Sequence, residues 1–464
     1  MKKIQVIGLL LAITILAGMN FIPIGNVLTE AGRNTLGILV AVLILLITEP
    51  IPIGVTCILG IGLLALFKAV AGIPQALSGY TNPIVFFVLV SFGISAAITK
   101  VPLSKRLLVK IMSSFGKDVK KILLSIMICA ALISSIVSNV ATTAVFITVI
   151  LQFLNIYTDE SEKKHTGKSF MIGLPVASMI GGMITPAGSS LNLMSINLLE
   201  QLTGIRITFV QWMVCGIPIV VIMLPLAWFI IIRVYPPVEL SPEDIRKYIE
   251  TLHVPSKLSF SERYVLTLVS IMFVLWVLSS WIPAFNITLV AIIGFTFLFM
   301  PRISILTWQE FLDNVSWSAF FLVGTIISVG NALVANGVSN WIAATVLPDA
   351  IYLPVYGLVF IVAMVVFSML IFVPVAPALI SMLVAPLIDL AGAANISPVL
   401  MIMTLGLCVA NCYLLPLDTV PLLTYMTGYY KISEMSKSTG LIQICMIMVV
   451  TIWLPLALSI LGIL

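Results

Sequence analysis

Long apolar runs separated by short polar stretches repeat along the whole chain. Their lengths predict helices at 4–22, 36–49, 51–70, 81–99, 169–199, 207–232, 264–283, 285–301, 316–335, 398–425 and 439–463. About 20 apolar residues suffice for a helix to cross the hydrocarbon of a bilayer. Two further runs, 122–155 and 353–392, are too long for one helix, and each is interrupted near its middle by polar residues or prolines. Both are expected to be re-entrant hairpins, two short helices whose tip stops partway through the membrane. Backbone outside a helix is tolerated at that depth only where protein shields it or it lines a cavity. The expected fold class is an all-α polytopic membrane protein with about eleven transmembrane helices plus two re-entrant hairpins.

Composition agrees. The chain has 464 residues, 61% hydrophobic and 9% charged, against about 25% charged in a soluble domain. Lipid is the solvent that such a surface fits. The net charge of +5 does not point to nucleic acid, because the basic residues sit between apolar runs and report orientation. With the N-terminus cytoplasmic, every Lys and Arg except Arg33, Lys68 and Arg206 falls on the cytoplasmic side, and the stretch 303–430 contains none. This is the positive-inside pattern of a multi-pass protein of the cell membrane. It places the C-terminus on the opposite face. It also requires 122–155 to be a hairpin, since a single span there would invert every later segment. Lys2 and Lys3 before the first apolar run also fit a cleaved signal peptide, but no A-x-A site follows, and an uncleaved first span is the reading preferred.

The order of elements suggests an internal inverted repeat. It divides the chain into an N-terminal span (1–35), a first repeat (36–235) with the hairpin 122–155, a cytoplasmic linker (236–263), and a second repeat (264–464) with the hairpin 353–392. Phe86-Phe87 before Ser104 is echoed by Phe320-Phe321 before Ser339. Inverted repeats with helices broken near the midplane are a mark of secondary transporters.

The six cysteines form no C-x-x-C pair, and the two histidines, His165 and His253, lie in charged loops. Disulfides, metal clusters and Ser-His catalysis are not expected, so the chain is read as no enzyme and without a cofactor. There is no Walker A motif, which leaves an ion gradient, sodium or proton, as the energy source.

Four polar breaks could carry the chemistry. At the first hairpin tip, Ser134, Ser135, Ser138, Asn139, Thr142 and Thr143 cluster. Ser138-Asn139 would start the returning helix, whose N-terminal N–H groups can hold an anion without a basic side chain. The bland alternative is close helix packing by small polar residues. The second break runs from Gly181-Gly182 through Thr185-Pro186 and Gly188-Ser189-Ser190 to Asn192. An unwound helix there would offer oxygen ligands to a hard cation such as sodium; a proline kink with glycine packing is the alternative. The third, Phe372-Val373-Pro374-Val375-Ala376-Pro377, can contribute only backbone groups. The fourth holds Asn411 and Pro416-Leu417-Asp418-Thr419-Val420-Pro421. A carboxylate at mid-membrane has a partner or a task, so Asp418 is a candidate cation ligand or proton carrier, or else a buried structural carboxyl. Glu49 is a second candidate acid, set against a role as a helix-break anchor.

Ser138-Asn139-Val140, the glycine-rich break ending Gly188-Ser189-Ser190-Leu191-Asn192, and Pro416-Leu417-Asp418-Thr419-Val420-Pro421-Leu422 resemble the divalent anion/sodium symporter family, the sodium-coupled sulfate and di- or tricarboxylate transporters. Phe209-Val210-Gln211-Trp212-Met213 and Gly428-Tyr429-Tyr430-Lys431 are similar to its repeat ends. The resemblance covers nearly everything beyond residue 36. It implies a scaffold domain and an elevator-type transport domain, a likeness to homodimers, and cation-coupled symport or exchange of a small anion. The anion would be a di- or tricarboxylate first and a sulfate-like oxyanion second; a cation/proton antiporter or a channel of the wider superfamily are the rivals. By the same resemblance, substrate would be held by Ser138, Asn139, Val140, Thr142, Gly188, Ser189, Pro374, Val375, Ala376, Thr419 and Val420. Sodium would be held by Ser138, Asn139, Gly181, Gly188, Asn192, Ala376, Asn411 and Asp418. The second Ser-Asn-Thr of the family pattern is absent, and Asp418 is additional; Asp418 is expected to replace sodium ligands or to couple protons.

Overall fold

The structure is a computed structural model that describes residues 3–21, 28–115, 118–252, 255, 257–338, 341, 353–373 and 375–464. Its helices in chain order are α1 (Lys3–Gly18), α2 (Glu30–Thr48), α3 (Ile53–Leu66), α4 (Ile73–Ala76), α5 (Pro83–Lys100), α6 (Leu103–Phe115), α7 (Val119–Ser134), α8 (Asn139–Leu154), α9 (Glu160–Gly181), α10 (Ser190–Thr203), α11 (Phe209–Val234), α12 (Pro242–Thr251), α13 (Phe260–Leu278), α14 (Ile287–Phe297), α15 (Trp308–Asn314), α16 (Trp317–Ala335), α17 (Val355–Phe372), α18 (Ala376–Ala393), α19 (Pro398–Val409), α20 (Thr419–Tyr425) and α21 (Ile432–Ile460). No strand occurs among the described residues, and eight of their helices are long and apolar enough to cross a membrane. Large apolar side chains such as Val221, Ile271 and Val274 lie more than half exposed, which suits a surface against lipid.

The helices start where short polar side chains can take the free N–H groups of the first turn. Thr29, Asn82, Asp118 and Asp159 do so, and Thr208, Ser259 and Thr307 form full capping boxes. Such caps explain where the boundaries differ from the apolar pattern. The helix expected from 36 begins at Glu30, behind Thr29, so a boundary at 36 falls inside α2. The helix expected from 169 begins at Glu160, because Asp159 caps a charged first turn. The linker 236–263 contains α12, started by Ser241 and Pro242, and the start of α13. These turns are too charged for a hydropathy pattern to reveal.

The chain reverses between α7 and α8. A methyl group on Gly173 would meet Leu123 and Met127, and one on Gly181 would meet the Ala131 backbone, so α7 runs alongside α9 in the same direction. Thr143 bonds Ser178 and Phe153 stacks on Phe170, so α8 runs against α9. Both open ends of this hairpin meet the linker side: the Lys120 carbonyl accepts from Trp228 and the Val149 carbonyl from Tyr248.

A second set of elements follows the same order. The end of α17 (Phe367, Leu370, Ile371) lines a small cavity with Tyr413 and Leu415, which follow α19. α17 therefore ends beside the end of α19, while α18 reaches the start of α19 through the short turn at Asn395, which has φ 52°. α19 packs on both α17 and α18, as α9 packs on α7 and α8. The helices after the breaks cross over: α10 packs on α18 and α19, and α20 on α8 and α9. The long helices that close each set, α11 and α21, pack on each other.

Candidate functional site

In the first break, α9 stops at Gly181 and α10 starts at Ser190, with a 3-10 turn at Pro186–Gly188 between them. Breaking a helix frees carbonyl oxygens that lipid cannot satisfy. Side chains satisfy most of them. Asn192 turns back from α10 and donates to the Gly182 and Thr185 carbonyls at 2.8 and 2.9 Å. Trp212 donates to the Met183 carbonyl at 3.0 Å. Thr185 donates to the Ser135 carbonyl at 2.5 Å and accepts from the Gly188 N–H at 2.9 Å. The tip of the α7–α8 hairpin is thereby tied to the break.

An oxygen-rich cage remains beside Gly188. A Cβ built there would lie 2.6 Å from the Gly182 carbonyl oxygen and 3.1 Å from the carbonyl oxygens of both Ser134 and Ser135. The Asn192 side chain is fully buried, and its Oδ1 has no hydrogen-bond partner. The buried Thr142 hydroxyl on the first turn of α8 is also without one. Asn139 Oδ1 accepts from Ser134 at 2.6 Å and lies where a methyl on Gly182 would stand. Buried polar atoms without partners are rare, and each calls for a physical cause. Carbonyl and amide oxygens are the ligands hard cations take, so this donor set fits a sodium ion. Among the described residues no group of three or more His, Cys, Asp or Glu could hold a metal, and none is needed for an alkali cation.

The second break, between α19 and α20, is closed by its own side chains. Asn411 is fully buried, but its amide donates to the Leu407 carbonyl at 2.6 Å and its oxygen accepts the Tyr413 hydroxyl. Tyr413 is itself fully buried. Ser436 donates to the Leu414 carbonyl at 2.6 Å. Asp418 is half-buried and caps α20, accepting from the Val420 N–H at 3.0 Å. Cation ligation by Asn411, expected from the resemblance, is not what its bonds serve here, because both ends of its amide are already taken.

The two hairpins share one feature. α8 and α18 begin at Ser138 and Val375 with no side-chain cap, whereas α10 and α20, which follow the breaks, are capped by Ser189 and Asp418. Ser138, Asn139 and Val140 are half-buried, so the free N–H groups of α8 remain reachable. Val375 is half-buried and Ala376 buried; Pro374 lies outside the described residues. Thr419 is exposed and Val420 buried at the start of α20, which packs on α8. The structure thus gathers Ser138, Asn139, Thr142, Gly181, Gly188, Ser189 and Asn192 around one hairpin tip, brings α20 onto the same helix, and leaves Val375 and Ala376 on the other tip. Glu49 stands apart. It is exposed, has φ 43° at the end of α2, and its carbonyl accepts from Gln5.

Sequence reasoning did not single out Trp212, the Ser134 and Ser135 carbonyls, or Tyr413. A lone aromatic beside an asparagine carries no pattern, and carbonyls are the same at every residue.

Comparison with known proteins adds to this geometry. The family model described as "Sodium:sulfate symporter transmembrane region" matches residues 3–463. A protein named sodium-dependent dicarboxylate transporter from Staphylococcus saprophyticus is 24% identical, over 97% of this chain and 90% of that protein. One of the same name from Staphylococcus aureus is 26% identical over 84% of this chain and 79% of its own length. A protein described only as a membrane protein, from Cupriavidus necator, is 24% identical over 89% of this chain and 84% of its own length.

Proposed function

The chain belongs to the sodium:sulfate symporter family, and from that premise we propose that it is a secondary active transporter that couples sodium to the movement of a small carboxylate across the cell membrane. It is a transporter and not an enzyme, as its relatives are. The single observation that carries the coupling is the cage at Gly188, with three carbonyl oxygens converging from two separate elements and Asn192, bonded to one of them, keeping an unpartnered Oδ1.

The mechanism follows from where those oxygens come from. Ser134 and Ser135 belong to the hairpin tip, whereas Gly182 belongs to the break. Without a cation, like-charged oxygen dipoles face one another. With one, tip and break are cross-linked, and the start of α8 next to the tip is held still. Its uncapped N–H groups and positive helix end can then bind a carboxylate. No Lys or Arg occurs at 122–162 or 303–430, so the bound cation and the helix ends are the positive partners on offer. Each ligand raises the affinity of the other, and the effect is reciprocal.

The packing supports an elevator reading in which α7–α11 and α17–α21 move as a transport domain. α2, α3, α5 and α13–α16 pack mainly among themselves, and the two groups meet along α5 and α16 and where α13 packs on α11. Among the described residues direct polar links there are few: Asn82 to Asn197 at 2.8 Å, the Ser138 N–H to Ser95 at 3.4 Å, Ser381 to the Ile326 carbonyl at 3.4 Å, and the Val210 N–H to Ser280 at 3.0 Å. The two sets of elements are proposed to be inverted repeats, the N-terminus cytoplasmic, and the assembly a homodimer.

Liposomes holding the purified protein test the function. Uptake of labelled succinate driven by an inward sodium gradient, and lost when the gradient is abolished, is the expected result; dicarboxylates are the first candidates because the named relatives carry them. Citrate and sulfate serve as further arms. Unsaturable flux indifferent to sodium and pH gradients would mean a channel instead.

A further inference from the structure

We propose that this carrier binds one coupling cation, in the first break only, and that Tyr413 permanently occupies the position at which the second break would hold another. The proposal rests on the cation reading of the first break and adds a stoichiometry to it.

The two breaks follow helices packed in the same way, so the second is the natural place for a second cation. Three properties that make the first a cage are missing there. The first is room: Gly181, Gly182 and Gly188 let backbone approach backbone, whereas residues 410–418 contain no glycine. The second is a free ligand. Asn192 spends only its NH2 group on the break, and its oxygen faces no donor. Asn411 spends both, with its oxygen taken by the Tyr413 hydroxyl and its nitrogen by Leu407. A cation at Asn411 Oδ1 would have to displace a fully buried phenol. The third is the opposing tip. Ser134, Ser135, Ser138 and Asn139 give the first tip side-chain oxygens, whereas the side chains of 372–378 carry none, and the nearest hydroxyl on α18, Ser381, is turned away to the Ile326 carbonyl on α16. No buried side-chain oxygen without a partner occurs among the described residues of 353–425, while the first hairpin and break hold two, Thr142 and Asn192.

The tyrosine hydroxyl therefore does for Asn411 what a cation would do for Asn192: it satisfies a buried oxygen. Both groups lie in the same short stretch of the second break and need no ion to meet, so the bond adds stability and no coupling. Charge moved per cycle follows. With one cation per anion, a monovalent anion is carried without net charge, and a divalent anion moves with a net negative one.

The test uses the purified full-length protein in detergent, with thermal unfolding followed as sodium chloride replaces choline chloride at constant ionic strength. A ligand that binds the native state raises the unfolding temperature, so no transported anion is needed. The expected result is saturable stabilisation with a Hill coefficient of about 1. Asn192→Ala weakens the sodium midpoint by about tenfold or more, and Gly188→Ala removes the response. Asn192→Ser stands in if the alanine variant is not monodisperse. Tyr413→Phe lowers the unfolding temperature and leaves the sodium midpoint within about twofold. A Hill coefficient near 2, or a tenfold shift of the midpoint in Tyr413→Phe or Asp418→Asn, overturns the single site. A wild-type protein that does not respond to sodium at all overturns the coupling reading beneath it as well.

Discussion

Around Gly188, backbone oxygens from two elements crowd one point and a buried amide oxygen is left unpaired; around Asn411, every group of the amide is paired and a tyrosine fills the centre. Both arrangements follow an apolar helix packed between the arms of a hairpin. Both solve the same problem, which is that a helix interrupted inside lipid exposes carbonyls at a cost of several kcal/mol each. In the second break protein groups take both ends of the Asn411 amide and the Leu414 carbonyl. The first leaves the Asn192 oxygen without a partner, and that remainder is the site proposed for the cation. A polar cluster in a membrane protein is thus informative less by its polarity than by what it leaves unsatisfied.

The sharpest way to break this comparison is to fill the first cage. In Gly188→Ala the new methyl stands 2.6 Å from the Gly182 oxygen, so either the tip or the break must move. Sodium-driven uptake should fall by about a hundredfold or more, since displacements near 1 Å at a site cost that much. Initial uptake rates in liposomes check it. Activity within a few-fold of wild type would mean the carbonyls at Gly188 hold nothing.

The second break can be opened in turn. Tyr413→Phe keeps the ring and removes the hydroxyl, which leaves the Asn411 oxygen buried and unpaired. That should destabilise the protein by about 1–3 kcal/mol, seen as a lower unfolding temperature with uptake still sodium-dependent. An unchanged unfolding temperature would mean that a water or ion already satisfies Asn411, and the contrast between the breaks would be lost.

What the sequence revealed and what it hid divide along the same line. Apolar runs and their interruptions pointed to Ser134–Asn139, where α7 and α8 reverse, and to Val373–Pro377, at the junction of α17 and α18, because both break a pattern that lipid otherwise imposes. Gly181, Gly182 and Gly188 announced an irregular backbone for the same reason. The amphipathic α6 and α12 were invisible to that pattern, since charged residues interrupt the apolar positions of both; Arg106 on α6 pairs with the buried Glu262 at 2.9 Å. At the site, residue type misled where geometry decides. Asn192 and Asn411 read alike, two asparagines in two broken spans, and only the partners of their oxygens separate them. Glu49, chosen for being an acid beside a proline, lies outside the hairpins and breaks altogether.

Capping offers a smaller contrast. Ser189 caps α10 through the Leu191 N–H, whereas Ser138 caps nothing. Ser189→Ala should therefore cost about 1 kcal/mol of stability. Ser138→Ala should cost less than about 0.5 kcal/mol and act on anion affinity instead, raising the KM for uptake. Paired thermal-unfolding and uptake curves separate the two, and equal stability losses would place Ser138 among the ordinary caps.

Asp418 gives the smallest effect and the most pointed one. Its Oδ1 accepts from the Val420 N–H at the start of α20, a task that needs an oxygen and no charge. Asparagine caps as well as aspartate does, so Asp418→Asn should move stability by no more than about 0.5 kcal/mol, while Asp418→Ala should lose about 1 kcal/mol with the cap. A proton carrier behaves differently. If the carboxyl loaded and released a proton in each cycle, the asparagine variant would keep its fold and lose the pH dependence of uptake, because an amide does not titrate. Uptake measured across pH 5 to 8 in the two variants therefore asks one question of one oxygen atom. A pH profile that is the same in wild type and Asp418→Asn leaves Asp418 as the end of a helix, and a profile flattened by the amide restores to the second break the coupling role that Tyr413 otherwise denies it.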